Sequence, residues 1–188
     1  MEYVEALKDK KEINALKRFF KKHSERDFML FVLGINTGLK ITELLNIKVG
    51  EVLERDGVVK DFYSLPTKDM KAPMEIYLNP KVKKAILHYV KTVHLRNEDY
   101  LFQSTKTQRP ITRQQAYRII CQAAEKVGIK GKIGTNSLRK TFGYHAYIQG
   151  VAISFLQKHF HHSSPSETYK YLGISKDKPI KTEIDVNL

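Results

Sequence analysis

The chain has no tryptophan, one cysteine, and no apolar run long enough to cross a bilayer. Each absence removes a class of answer. A single thiol, Cys121, permits no intrachain disulfide, which excludes a secreted scaffold held by bridges and points to the reducing cytoplasm. Its neighbours Ile119, Ile120, Ala123 and Ala124 predict a buried thiol in a helix. Without a stretch of roughly 20 apolar residues, and with basic residues spread instead of gathered on one amphipathic helix, no membrane partner is expected. The amino end, Met1 to Glu12, is charged and lacks the apolar core of a secretion signal.

Acidic residues are also in short supply. Against 33 Lys and Arg stand 20 Asp and Glu, leaving a net charge of +13. Because the excess recurs along the whole chain, it predicts a basic surface and a polyanionic partner, bound in part by counterion release. With 41% apolar residues in 188, the composition fits one globular domain.

Periodicity and punctuation predict a mainly helical chain. Ile13, Leu16, Phe19 and Phe20 recur among lysines and give an amphipathic helix from Lys11 to His23. Ser24 with Asp27 opens a second helix through the apolar run Phe28 to Ile35, apolar on all sides and hence central, and Gly38 ends it. Lys40 lies in the turn before a short helix begun near Thr42. Val58 to Leu65 and Met74 to Leu78 read as the strands of a hairpin whose tip, Thr67 to Pro73, carries Lys68 and Lys71. Asn79 and Pro80 start a helix to Val93, and Thr112 with Gln115 forms a capping box for another through Val127, closed by Gly128. Further helices are predicted from Ser137 to Gln149, around Ile153, Leu156 and Phe160, and from Ser164-Pro165 to Gly173.

Several of these segments carry phosphate chemistry. Arg139 offers a planar fork to two phosphodiester oxygens, His162 a further donor, and Tyr171 a hydroxyl able to attack phosphorus. Asn136 and Arg139 are three apart at a helix start and can face one phosphate together with free backbone N–H groups. Tyr169 rivals Tyr171, but two residues apart on a helix they cannot share a face. A metal site at His159, His161 and His162 is not expected, because adjacent histidines diverge and no carboxylate or cysteine cluster accompanies them.

In this order, Thr37-Gly-Leu-Lys-Ile-Thr-Glu-Leu44, the lysine hairpin, Gly134-Thr-Asn-Ser-Leu-Arg-Lys-Thr-Phe142, His161-His-Ser-Ser164 and Tyr171 resemble the catalytic domain of the tyrosine recombinases, the phage integrase family. The spacing of nine from His162 to Tyr171 is that of the family. The resemblance implies an α+β, mainly α-helical fold with a small antiparallel sheet at one edge, spanning residues 1–173, with no preceding core-binding domain and a tail at 174–188 that docks on a neighbouring copy. It implies a DNA-integrating or recombining enzyme of a mobile element, working through a 3′-phosphotyrosyl intermediate on duplex DNA. Self-association follows, with no metal, cofactor or small-molecule substrate. Residue by residue, Tyr171 matches the nucleophile, Arg139 the second arginine, His162 the histidine of the third motif and Lys68 the hairpin lysine, with Lys71 as its rival. Two positions depart from the pattern: Lys40 stands for the first arginine and Asn136 for a histidine or lysine. Lysine keeps the charge and loses the fork, and asparagine cannot exchange a proton near neutral pH. The alternative is therefore a DNA-binding regulator of the same fold that no longer cuts.

Overall fold

The computed structural model describes residues 3–66 and 73–175. Nine helices and one hairpin follow in order among them: α1 (Lys10–His23), α2 (Glu25–Thr37), α3 (Ile41–Leu45), α4 (Val49–Val52), β1 (Phe62–Leu65), β2 (Met74–Tyr77), α5 (Pro80–Val93), α6 (Arg113–Val127), α7 (Thr135–Ile148), α8 (Ile153–Phe160) and α9 (Pro165–Leu172). The mainly helical α+β class with a small antiparallel sheet is the one the sequence predicts.

Caps set most of the boundaries. Ser24 accepts from Asp27 N at the head of α2, and Gly38, at φ 64°, closes it in the left-handed region. Asn79 caps α5, Thr112 and Gln115 cap α6 reciprocally, and Ser164 accepts from Glu167 N ahead of Pro165. Each supplies a partner for a backbone N–H that the helix itself leaves unpaired.

Three expectations need correction. The first strand begins at Phe62 instead of Val58, because β2 offers partners only from Tyr77, opposite Phe62, to Met74, opposite Leu65. Val59 instead makes a lone bridge to Leu53. Helix α4 was not foreseen, since four residues carry no readable period. Cys121 is only half-buried, and its thiol donates to the Ile133 carbonyl at 3.1 Å. The predicted hairpin tip falls largely outside the described residues, as do Lys68, Lys71 and the tail beyond 175.

The core has three parts. The largest lies between α2, α3, α5 and the hairpin, with Leu30, Leu33, Leu44, Ile86 and Phe102 all fully enclosed. A second joins α1, α2, α6 and α7 through Leu16, Phe20, Phe31, Ile120 and Leu138. The third is small, Leu156, Phe160 and Leu172, and attaches α8 and α9. Helix α7 passes between them. Ser137, Leu138, Arg139, Lys140 and Thr141 are all buried, more than one full turn, so this stretch has protein on every side.

Two glycines permit that. A Cβ on Gly34 of α2 would meet Leu138 Cδ1 at 2.7 Å, and one on Gly143 of α7 would meet both Phe160 Cζ and Leu172 Cδ2 at 2.6 Å. Gly143 is therefore where α8 and α9 close onto α7. Gly143→Ala is expected to destabilise by about 1–3 kcal/mol through overpacking, read as a fall in Tm of roughly 2–10 °C. Calorimetry of the two proteins checks it.

Candidate phosphate site

The candidate residues come from four places that the core brings together. Lys40 is the N-cap of α3, Asn136 and Arg139 lie on the first turns of α7, His162 follows α8, and Tyr171 sits in the last turn of α9.

Arg139 is 6% exposed. Its Nη1 donates to the Gly38 carbonyl, and its Nη2 lies 3.5 Å from the carbonyl of His159. The guanidinium carbon sits 4.7 Å from the centre of the Phe160 ring, and the Tyr171 hydroxyl lies near enough to interact with its charge. The Gly38 carbonyl is available because that residue is glycine: a Cβ there would fall 2.3 Å from Phe142 Cδ1. Among the described residues no carboxylate lies within ion-pair distance of Arg139. Burial lowers its pKa, and the Tyr171 hydroxyl and more distant Glu43 work against that. Neutral carbonyls thus hold a buried cation whose charge has no direct counterion, an arrangement completed by an anion.

Tyr171 meets Arg139 at its hydroxyl and the His162 ring edge-on, with centroids 4.9 Å apart. Burial raises its pKa, and Arg139 opposes the rise by charge and by hydrogen bond. Tyr169 turns away and packs edge-on against Tyr147 of α7 at 5.9 Å. The helical spacing separates the two tyrosines as predicted, and Tyr171 is the one beside Arg139.

His162 is placed by a tight turn. His161 closes α8 with φ 56°, and His162 N returns to the Gln157 carbonyl at 3.0 Å. The Nδ1 of His162 pairs with Thr168 Oγ1 at 3.0 Å. That hydroxyl also lies 3.4 Å from the Ser164 carbonyl, and the Nε2 of His162 has no hydrogen-bond partner among the described residues. Burial lowers the His162 pKa, Glu167 raises it, and Arg139 and His161 lower it further. Beside this ring a cleft of about 470 Å³ is lined by Met74, Gln157, Lys158, His161 and His162. Met74 is the first residue of β2 and pairs with Leu65 at the turn end of the hairpin, so that end opens onto the same cleft as His162.

Lys40 is less engaged. Its side chain is 54% exposed and its Nζ lies 3.9 Å from Glu43 Oε1, while Glu43 Oε2 accepts from Lys40 N at 2.6 Å. Asn136 is partly exposed and makes no side-chain hydrogen bond among the described residues.

Two participants have roles that the sequence does not assign. His159, considered there only within the histidine trio, packs its ring on Phe142 at 5.0 Å while its carbonyl serves Arg139. Its Nε2 is buried without a well-formed hydrogen bond, near the carbonyls of Thr37 and Gly38. The second is Lys140, which touches the ring of Tyr171. No local signal separates either from an ordinary surface residue.

His159 gives a pH prediction. Burial, followed by the Arg139 charge, pushes its pKa down to about 4 from the ordinary histidine value of 6.5. The unfolded chain therefore binds the proton more readily, and this contribution to stability is present above pH 6.5 and is lost as pH falls toward 4. His159→Leu is expected to show a shallower decline of Tm across that window than the parent.

The arrangement has counterparts elsewhere. A family model described as the phage integrase family matches residues 7–178. The probable integrase/recombinase YoeC of Bacillus subtilis (strain 168) is 37% identical over 177 residues, covering 94% of this chain and 93% of that protein. A tyrosine recombinase of Pseudothermotoga lettingae is 31% identical over 163 residues, covering 87% of this chain and 54% of its own length. The chain thus spans nearly all of the first relative and about half of the second. Among solved structures, the XerA recombinase superposes with a TM-score of 0.75 at 20% identity, over 93% of this chain and 61% of that one. A lambda integrase dimer bound to a COC′ core site gives 0.69 at 15% identity, over 98% and 65%. A buried arginine, a histidine and a tyrosine brought together on this fold, with a family match across all three, make this chain a member of the phage integrase family.

Proposed function

We propose that the chain is a site-specific tyrosine recombinase that breaks and rejoins duplex DNA. The observation that carries this reading is the buried Arg139 guanidinium, without a carboxylate partner among the described residues and close enough to the Tyr171 hydroxyl for the two to interact electrostatically. A phosphodiester oxygen taking up the free N–H groups of Arg139 would sit beside that hydroxyl.

In this reading the Tyr171 oxygen attacks phosphorus, the phenol proton passes to water, and the bond from phosphorus to the 5′-oxygen breaks. A 3′-phosphotyrosyl link results. Negative charge grows on the non-bridging oxygens, where preorganised donors act selectively on the transition state. Arg139 supplies the fork, Lys40 a single ammonium from the head of α3, and Asn136 an amide N–H. An arriving phosphodiester reverses the lowering of the His162 pKa and favours the imidazolium, whose Nε2–H then donates to a phosphoryl oxygen. Lys68, three residues beyond the end of β1, is assigned the protonation of the leaving 5′-oxygen. Its support is indirect: Met74, at the turn end of the hairpin, lines the cleft beside His162. Reversal by a new 5′-hydroxyl joins the strands, with the bond energy retained in the phosphotyrosyl link, so the scheme contains no ATP, metal or cofactor.

The working partners are duplex DNA and further copies of the chain, in the cytoplasm. Residues 1–173 form the catalytic unit, and residues 174–188 the tail that docks on a neighbour. The relatives in Bacillus subtilis, a probable integrase/recombinase, and Pseudothermotoga lettingae, a tyrosine recombinase, agree with the activity.

Relaxation of a negatively supercoiled plasmid at low salt tests the reading without a known target site. The parent is expected to relax the plasmid and Tyr171→Phe to leave it supercoiled. A gain of about 100-fold or more from Lys40→Arg with Asn136→His is expected if those two departures each cost one transition-state donor. Relaxation by the double variant alone would instead make the natural chain a DNA-binding regulator.

A further inference from the structure

Residues 3–8 cross α7 and the end of α9 as a strap. Glu5 N donates to the Lys132 carbonyl at 2.8 Å, and Leu7 N to Thr141 Oγ1 at 2.9 Å. His145 Nε2 donates to the Leu7 carbonyl at 2.9 Å, and Lys8 Nζ to the carbonyl of Gly173, the cap of α9, at 3.2 Å. Between strap and α9 lies Lys140.

Lys140 is 8% exposed, and its Nζ donates to the Val4 carbonyl at 2.9 Å. The same ammonium lies 4.5 Å from the centre of the Tyr3 ring and 5.0 Å from that of Tyr171. Consecutive residues of one helix therefore both reach the tyrosine, Arg139 at its hydroxyl and Lys140 at its ring. A cavity of about 90 Å³ lined by Tyr3, Lys140, Tyr171 and Gly173 adjoins them, so the ring would have room to move if the ammonium did not engage it.

We propose that Lys140 is a positioning residue for Tyr171, anchored by the strap at Val4 and Tyr3 and holding the phenol ring so that its hydroxyl stays at Arg139. The catalytic consequence rests on the recombinase reading above; the positioning itself does not. A cation over an aromatic face is attracted by the ring's negative quadrupole, more strongly where water is excluded. Burying a lysine is unfavourable unless something offsets it, and here a carbonyl and two rings do so. Burial lowers the Lys140 pKa, and Glu5 of the strap opposes this. The charged or titratable groups facing Tyr171 are Arg139 and Lys140 from α7 and His162 from the turn before α9.

The test uses the full chain with Lys140→Met, which keeps the length and apolar contacts and removes the charge and the bond to Val4. Tyr3→Ala is the second variant, chosen because Tyr3 is 64% exposed and its loss leaves the core intact. Two readouts are taken. Without DNA, NMR of ring-labelled tyrosine follows the Tyr171 signals, assigned by their loss in Tyr171→Phe. With DNA, single-turnover formation of the covalent complex on a nicked duplex is measured beside duplex affinity. The expected result is a shift of the Tyr171 signals toward averaged values in both variants, with covalent-complex formation about 10-fold slower in Lys140→Met at an affinity within 2-fold. Unchanged Tyr171 signals in both variants overturn the proposal, as does a rate loss matched by an equal loss of affinity. Shifted signals with no covalent complex even from the parent would uphold the positioning and refute the recombinase reading.

Discussion

Everything at this site depends on a buried cation held by neutral groups. Removing a guanidinium from water costs several kcal/mol unless its donors are met, and Arg139 meets the Gly38 and His159 carbonyls, the Phe160 face and the Tyr171 hydroxyl. Those partners fix its orientation without cancelling its charge. A carboxylate in their place would stabilise the resting protein and compete with an incoming phosphate.

The surrounding architecture follows from that requirement. Gly38 ends α2 in a left-handed turn that Phe142 would block for any side chain, and so delivers its carbonyl to Arg139. Gly143 brings α8 and α9 close enough to α7 for Phe160 and Tyr171 to lie beside the same guanidinium, with His162 against the Tyr171 ring. The third and smallest core cluster, Leu156, Phe160 and Leu172, is what secures the nucleophile candidate. Its modest size makes the additional contacts from the strap through Lys140 and Lys8 mechanically relevant.

Local signals made much of this readable in advance. Ser24, Asn79-Pro80, Thr112 with Gln115, and Ser164-Pro165 cap their own helices, so the boundaries of α2, α5, α6 and α9 lie in adjacent residues. The ordered motifs around Arg139, His162 and Tyr171 identified the family, and helical geometry separated Tyr171 from Tyr169. What was not readable depends on distant partners. Leu7 and Thr141 are 134 positions apart, and Lys140 meets a carbonyl 136 positions away. The sequence places Lys140 next to Arg139 but gives no sign of its contact with Tyr171, and His159 reads as one of a trio. The late start of β1, at Phe62, has the same origin, since a strand extends only as far as its partner does.

The central claim is that Tyr171, held by Arg139, forms the covalent bond to DNA. The most direct measurement is mass spectrometry of the peptide left attached to DNA after the protein is trapped on a nicked duplex and digested. The account predicts a single phosphotyrosyl linkage at Tyr171, abolished in Tyr171→Phe. A linkage at Tyr169, or a DNA-bound protein that never becomes attached, would contradict it.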